Sequence, residues 1–230
     1  MFKRSLLIAI MAVPILASAG LAQTGDTCAH ENCAIGWDAP LFFSPRPMDD
    51  IGVYAFRTNS RVLDDPTGLK AIWRQTGNIN LGVHAGFGDL NDAGKSILLG
   101  AEFSNSLSGL SSNTGLAMAW SVGAGAVFGK EYIDFSAPLG VSVGLNLGSG
   151  STVITPYANP RVSLDVSSFN NPITDEEITD TNVGFEVDLG ADLSLGQSLV
   201  IRAGYSLGDR DAFGAGIALR IPRKVVVRNR

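Results

Sequence analysis

Ile79-Asn80-Leu81-Gly82-Val83-His84-Ala85-Gly86-Phe87-Gly88 alternates residue by residue between an apolar side chain and a polar or missing one. Successive side chains of a strand point to opposite faces, so this period of two predicts a strand with one apolar face and one polar face. Val183-Gly184-Phe185-Glu186-Val187-Asp188-Leu189-Gly190-Ala191-Asp192-Leu193 repeats the pattern. Working outward from these two runs, about ten strands are predicted, near 51–58, 69–75, 79–88, 95–103, 116–128, 131–147, 152–166, 182–193, 198–207 and 211–221. Beyond residue 22 no stretch keeps a helical period.

The two faces differ in kind. One reads Ile79, Leu81, Val83, Ala85, Phe87, then Ile97, Leu99, Ala101, Phe103, then Leu116, Met118, Trp120, Val122, with no charge in these strands. The other reads Asn80, Gly82, His84, Gly86, Gly88, then Ala117, Ala119, Ser121, Gly123, Gly125, then Gly184, Glu186, Asp188, Gly190, Asp192. A water-facing sheet surface would carry long charged side chains and few glycines. Glycine at this density instead suggests tight curvature and little room, which a small barrel's lumen supplies. Glu102, Glu186, Asp188, Asp192, Arg202 and Arg220 share the lumen phase. An Arg or Lys turned to the middle of a bilayer would cost ~2–4 kcal/mol, so the uncharged phase is the one that can face lipid. Phe87, Phe128, Phe135, Phe185, Tyr205 and Phe213 fall near one end of their strands, and Trp73, Phe103 and Trp120 near the other. Two outward aromatic rings match the two interfaces of a membrane.

The ends and the composition set the compartment. Lys3-Arg4, the apolar Leu6 to Leu16 and the small residues up to Ala22 have the layout of a secretory signal peptide, residues 1–22. The formal net charge is −5, and losing Lys3 and Arg4 makes the exported chain more acidic still. Charged residues are 17% of the chain, against roughly 25% in ordinary soluble proteins. An acidic, charge-poor exported chain is not expected to bind nucleic acid. Residues 23–50 are predicted to be an irregular periplasmic lead-in, because Pro40, Pro45 and Pro47 resist a sheet interior. Within it, Cys28 and Cys33 are expected to form a local disulfide in an oxidising compartment. A zinc site on Cys28, His30 and Cys33 is the sharper alternative, but it lacks a fourth ligand nearby. Residues 222–230 form a basic tail with Arg223, Lys224, Arg228 and Arg230.

These features together predict an all-β protein: a closed, antiparallel, up-and-down transmembrane barrel over 51–221, with ten strands, or eight as the alternative. If the first strand runs outward, the long connections 59–68 and 167–181 face the cell surface, and the short turns 76–78, 148–151 and 194–197 face the periplasm. Residues 104–115 are too long for a periplasmic turn, unless the strands extend through Asn105 and Leu107. The alternating strands, Thr155-Pro156-Tyr157-Ala158 and the final Gly214-Ala215-Gly216-Ile217-Ala218-Leu219-Arg220-Ile221 resemble the small outer-membrane barrels of Gram-negative bacteria, the broad OmpA- and OmpX-like group. The resemblance implies a location in the outer membrane. It also implies contact with outer-membrane lipid and the barrel-insertion machinery, and a monomer. The chain departs from the group by running on past Ile221 rather than ending on an aromatic residue.

Chemistry is thinly signalled. His84 is the one histidine of the barrel region, with Asp89 and Asp92 in reach along the sequence, but no nucleophile is spelled out beside it. A lumen histidine bonded to a neighbouring carboxylate is the expectation. Asp64-Asp65 and Asp175-Glu176-Glu177 lack calcium-loop spacing and read as solvated loop tips. No catalytic, cofactor-binding or metal-ligating residue is predicted, and the chain is not expected to be an enzyme. The expected role is structural or surface-interacting, through the outer loops. A narrow channel for small solutes is the alternative, and a lipid-modifying enzyme the second alternative.

Overall fold

The computed structural model describes residues 36–58, 66–89, 94–107, 115–130, 132–170 and 177–222. The strands are β1 (Asp50–Thr58), β2 (Thr67–Gln75), β3 (Asn80–Asp89), β4 (Lys95–Ser106), β5 (Leu116–Phe128), β6 (Tyr132–Leu145), β7 (Leu147–Ser149), β8 (Thr152–Asn170), β9 (Glu177–Leu195), β10 (Leu199–Gly208) and β11 (Ala212–Arg220). β7 continues the line of β6 along the same neighbour, β8, after a break at Asn146. The eleven segments therefore make ten crossings.

With β6 and β7 counted as one crossing, each crossing pairs antiparallel with the next in sequence, and the first pairs with the last, from Asp50↔Arg220 to Thr58↔Ala212. The β6–β8 ladder completes the ring, so every crossing has a neighbour on both sides. Closure removes the open edge whose unpaired backbone groups neither lipid nor a stable fold tolerates.

The alternation of the sequence appears directly as alternation of burial. β1 reads exposed on Ile51 and Val53 and buried on Gly52, Tyr54 and Phe56. In β3, Asn80, Gly82, His84 and Gly88 are buried while Val83 and Phe87 are exposed. Phe87, Phe103, Phe128, Phe135, Phe185, Tyr205 and Phe213 all stand on the outer surface. Leu139, midway along β6, is 60% exposed there, flanked in register by Val122 and Val162. Leu139→Arg is expected to cost about 2–4 kcal/mol of folding stability in lipid vesicles, measured by reversible unfolding in urea. A cost near zero would mean that this face does not meet hydrocarbon.

Two connections differ from expectation in length. The one expected over 167–181 shrinks to 171–176, because the β8–β9 ladder runs unbroken from Thr152↔Leu195 to Asn170↔Glu177. β9 pairs with β10 only as far as Glu186↔Gly208, so the hairpin end of β9 extends past its other neighbour. The expected run 104–115 is also partly strand. β4 continues to Ser106, opposite Ala119, and the Leu107 N–H donates to Met118 O at 2.9 Å. This is the extension that ten strands required. The signal segment 1–22, the two cysteines and the tail from Arg223 onward lie outside the described residues.

One expectation is corrected. The lead-in before β1 is irregular over its described part, but it is not a periplasmic lead-in: residues 36–45 lie inside the barrel, and all are buried. The physical reason lies in its composition. Trp37, Leu41, Phe42 and Phe43 are too apolar to be left in water, and three prolines bar the segment from any ladder. The interior of a ten-strand barrel offers apolar contact without requiring a ladder.

Candidate functional site

The site is the filled lumen. Three glycines on adjoining strands, Gly100 of β4 with Gly123 and Gly125 of β5, form a flat bed for the indole of Trp37. A Cβ on Gly100 would lie 2.0 Å from a ring carbon of Trp37, and one on Gly125 2.6 Å away. The lumen-phase glycines that sequence reasoning ascribed to crowding are thus crowded by the chain's own segment. Trp37 Nε1 donates to Ser136 O at 3.1 Å, and the ring packs edge-on against His84, with centroids 5.3 Å apart. Below it, Leu41 and Phe43 join Phe56, Leu98, Ala119 and Val127 in one apolar cluster, and Phe42 joins Tyr54, Ile72, Val200 and Ala218 in a second. Phe42 adopts a left-handed backbone angle (φ 54°) and stacks on Tyr54 at 4.6 Å.

An irregular segment without a ladder leaves its carbonyls in need of donors. The wall supplies them from side chains. Lys70 Nζ donates to Pro40 O at 2.5 Å and to Trp37 O at 3.3 Å, and also sits over the rings of Phe42 and Phe56. Arg74 donates to Leu41 O at 3.2 Å, and Ser142 Oγ to Phe43 O at 2.9 Å.

The remaining lumen is a set of buried ion pairs. Arg161 of β8 bonds Asp38, Glu186 and Asp188, the last at 3.1 Å, and Asp188 also accepts from Asn159 at 3.1 Å and from Ser206. Arg210, in the β10–β11 turn, meets Asp38 at 3.1 Å, Asp165 at 2.8 Å and Asp134 at 3.5 Å. Burial works against the Arg210 charge, but Asp134, Asp38 and Asp165 outweigh it and push its pKa up. Nearer the other end, Arg202 bridges Asp50 at 2.7 Å and Asp192 at 3.0 Å and donates to the Tyr54 hydroxyl at 2.8 Å. Arg74 holds Glu102 at 2.6 Å, and His84 Nε2 stands 3.6 Å from the other Glu102 oxygen.

Of the lumen charges read from the sequence, Glu102, Glu186, Asp188, Asp192 and Arg202 are buried in this network. Arg220 is only partly buried and donates to Ser194 Oγ. Sequence reasoning missed Asp38, Asp50, Lys70, Arg74, Asp134, Arg161, Asp165 and Arg210. For Lys70, Arg74, Asp134, Arg161 and Asp165 the signal was present, since each shares the phase of a buried neighbour on its strand. For Asp38 and Arg210, which lie outside the strands, no periodicity exists to reveal them. His84 is 2% exposed, and its Nε2 faces the Glu102 carboxylate at 3.6 Å, the neighbouring acid expected of a lumen histidine. Asp89 sits on the exposed end of β3 opposite Thr67 and Lys95, away from the histidine's level, while Asp92 lies outside the described residues.

An apolar outer face, with Arg57, Asp89 and Lys95 exposed only at strand ends, around an ion-paired interior is the reverse of a soluble protein's distribution. This chain is a closed β-barrel of the transmembrane kind.

No family model matches the sequence, and no curated protein does. Solved structures similar to the barrel include the N-terminal β-barrel domain of Pseudomonas aeruginosa OprF, at 9% identity over 76% of this chain and 100% of that one, TM-score 0.38. Neisserial surface protein A is similar at 13% identity over 75% of this chain and 96% of that one, TM-score 0.36. Ail, the attachment invasion locus protein of Yersinia pestis, is similar at 11% identity over 75% and 95%, TM-score 0.33.

Proposed function

We propose that the barrel is a closed structural platform whose outer connections meet partners at the cell surface, and that it neither conducts solutes nor carries out a reaction. The observation that carries this reading is the lumen occupied by residues 36–45, with Trp37, Asp38, Leu41 and Phe42 each no more than 1% exposed. A ten-strand barrel has little interior to spare, and here aromatic rings and paired charges fill it. The extended β8–β9 hairpin supports a surface role, because it carries the chain farthest along on the end with the longer connections. His84 is 2% exposed, packed against Trp37 and facing Glu102, which does not favour a lipid-modifying role.

Planar-bilayer recording tests the reading. Pure protein is expected to insert without discrete conductance steps. Regular single-channel openings would overturn it in favour of a narrow channel.

A further inference from the structure

A cleft of about 610 Å³ opens on the outer wall, a volume within the roughly 300–1,000 Å³ usual for small-molecule sites. Register builds it. Ala215 of β11, Ala55 of β1 and Leu69 of β2 stand opposite one another in turn, and Leu69 stands opposite Phe87 of β3. These four share the outward phase. Phe213, two residues before Ala215, bounds the alanines on one side and Phe87 on the other, the two rings being 54% and 58% exposed. In the next row down the wall, Ala71 faces Ala85 and extends the low floor. A row of different chemistry stands at the head of the cleft, where the strands end: Arg57 opposite Thr67, Thr67 opposite Asp89, and Asp89 opposite Lys95. Among the described residues lining the cleft, Arg57 and Lys95 are the cations and Asp89 is the acid.

We propose that this cleft binds one anionic phosphorylated lipid, with an acyl chain in the alanine trough between Phe213 and Phe87 and its phosphate at Arg57 and Lys95. Hydrocarbon is the solvent of this wall, so a trough sunk into it is filled by a chain. The head row supplies the selection. Arg offers a planar fork to phosphate oxygens and Lys a compact charge, and cations at the membrane surface attract anionic lipid. Asp89 offsets one of the two cations, so the row keeps one positive charge in excess. A singly charged phosphodiester balances that excess, whereas a zwitterionic head does not. A second barrel is the poorer occupant: docked here about a two-fold axis, it would set the row against itself, cation facing cation. The site uses the outward side of β11, β1, β2 and β3 and no residue of the lumen segment.

Native mass spectrometry of the full chain in detergent tests this, by titration with dioleoylphosphatidylglycerol and, separately, with dioleoylphosphatidylcholine. The two lipids share their chains and differ in head charge. Each variant is first shown to keep the gel-mobility change on heating that marks a folded barrel. The natural chain is expected to take up one phosphatidylglycerol about fivefold more tightly than phosphatidylcholine, the effect of about one interfacial charge. Arg57→Gln with Lys95→Gln should bring the two lipids level. Ala55→Leu with Ala215→Leu, which fills the trough, should weaken both. Lys130→Gln removes an exposed cation at the same end, in the β5–β6 turn, and should leave the preference intact. Equal affinity of the natural chain for both lipids would overturn the proposal. So would an equal loss of preference on Lys130→Gln, or no effect of the two leucines. Dimers in place of the lipid adduct, abolished by the same leucines, would overturn it in favour of a second barrel.

Discussion

Arg161→Met is expected to lower the stability of the barrel by about 3–5 kcal/mol, because it strips the shared cation from three buried carboxylates at once. Asp38, Glu186 and Asp188 all bond the Arg161 guanidinium, and none of these four residues is more than about 2% exposed. Water cannot replace the lost partner without opening the lumen, so the carboxylates must either separate or take up protons. The measurement is the urea midpoint of the protein in detergent or vesicles, followed by the mobility difference between unheated and heated samples. Adding Glu186→Gln and Asp188→Asn to Arg161→Met should recover part of the loss, since it removes the charges left unpaired. A single substitution that leaves the midpoint unchanged would show that Asp38 and its segment do not occupy the lumen.

Trp37→Ala is the second large effect, at about 3–5 kcal/mol, the cost of emptying a closely packed indole site. The bed of Gly100, Gly123 and Gly125 is shaped to the ring and has no side chains of its own to collapse into the space. Gly100→Ala supplies the complementary test, because its new Cβ would press on the Trp37 ring. It should destabilise the natural chain and be close to harmless when combined with Trp37→Ala. A double-mutant cycle with no coupling between positions 37 and 100 would refute the contact. These two experiments probe different parts of the plug, one its charge and one its shape. Both leave the lipid-facing side untouched.

Asp38 links the Arg161 and Arg210 clusters. It accepts from Arg161 on one carboxylate oxygen and from Arg210 on the other. Arg161 belongs to a strand and Arg210 to a turn, so the lead segment ties the wall to the end of the barrel through one residue. That arrangement explains why an apolar plug carries a single acidic side chain among its aromatic neighbours.

Ten strands, their phase and the face turned to lipid were legible in the sequence, because a period of two maps one residue onto one face with no further information. The lumen phase of Glu102, Glu186, Asp188, Asp192 and Arg202 was legible for the same reason. The lengths of β8 and β9 were not, since Ser167 to Thr181 carries no sustained apolar alternation and a ladder beyond the membrane needs none. The place of Trp37-Asp38-Ala39-Pro40-Leu41-Phe42-Phe43 was decided only by the tertiary structure. Its apolar content demanded burial and its prolines excluded a strand. Neither property says where a cavity of the right shape exists, because that cavity forms only when β1 meets β11 and the ring closes. The local alternation thus determined a barrel and its orientation to lipid, whereas closure in three dimensions decided that the barrel is filled, and by which part of its own chain.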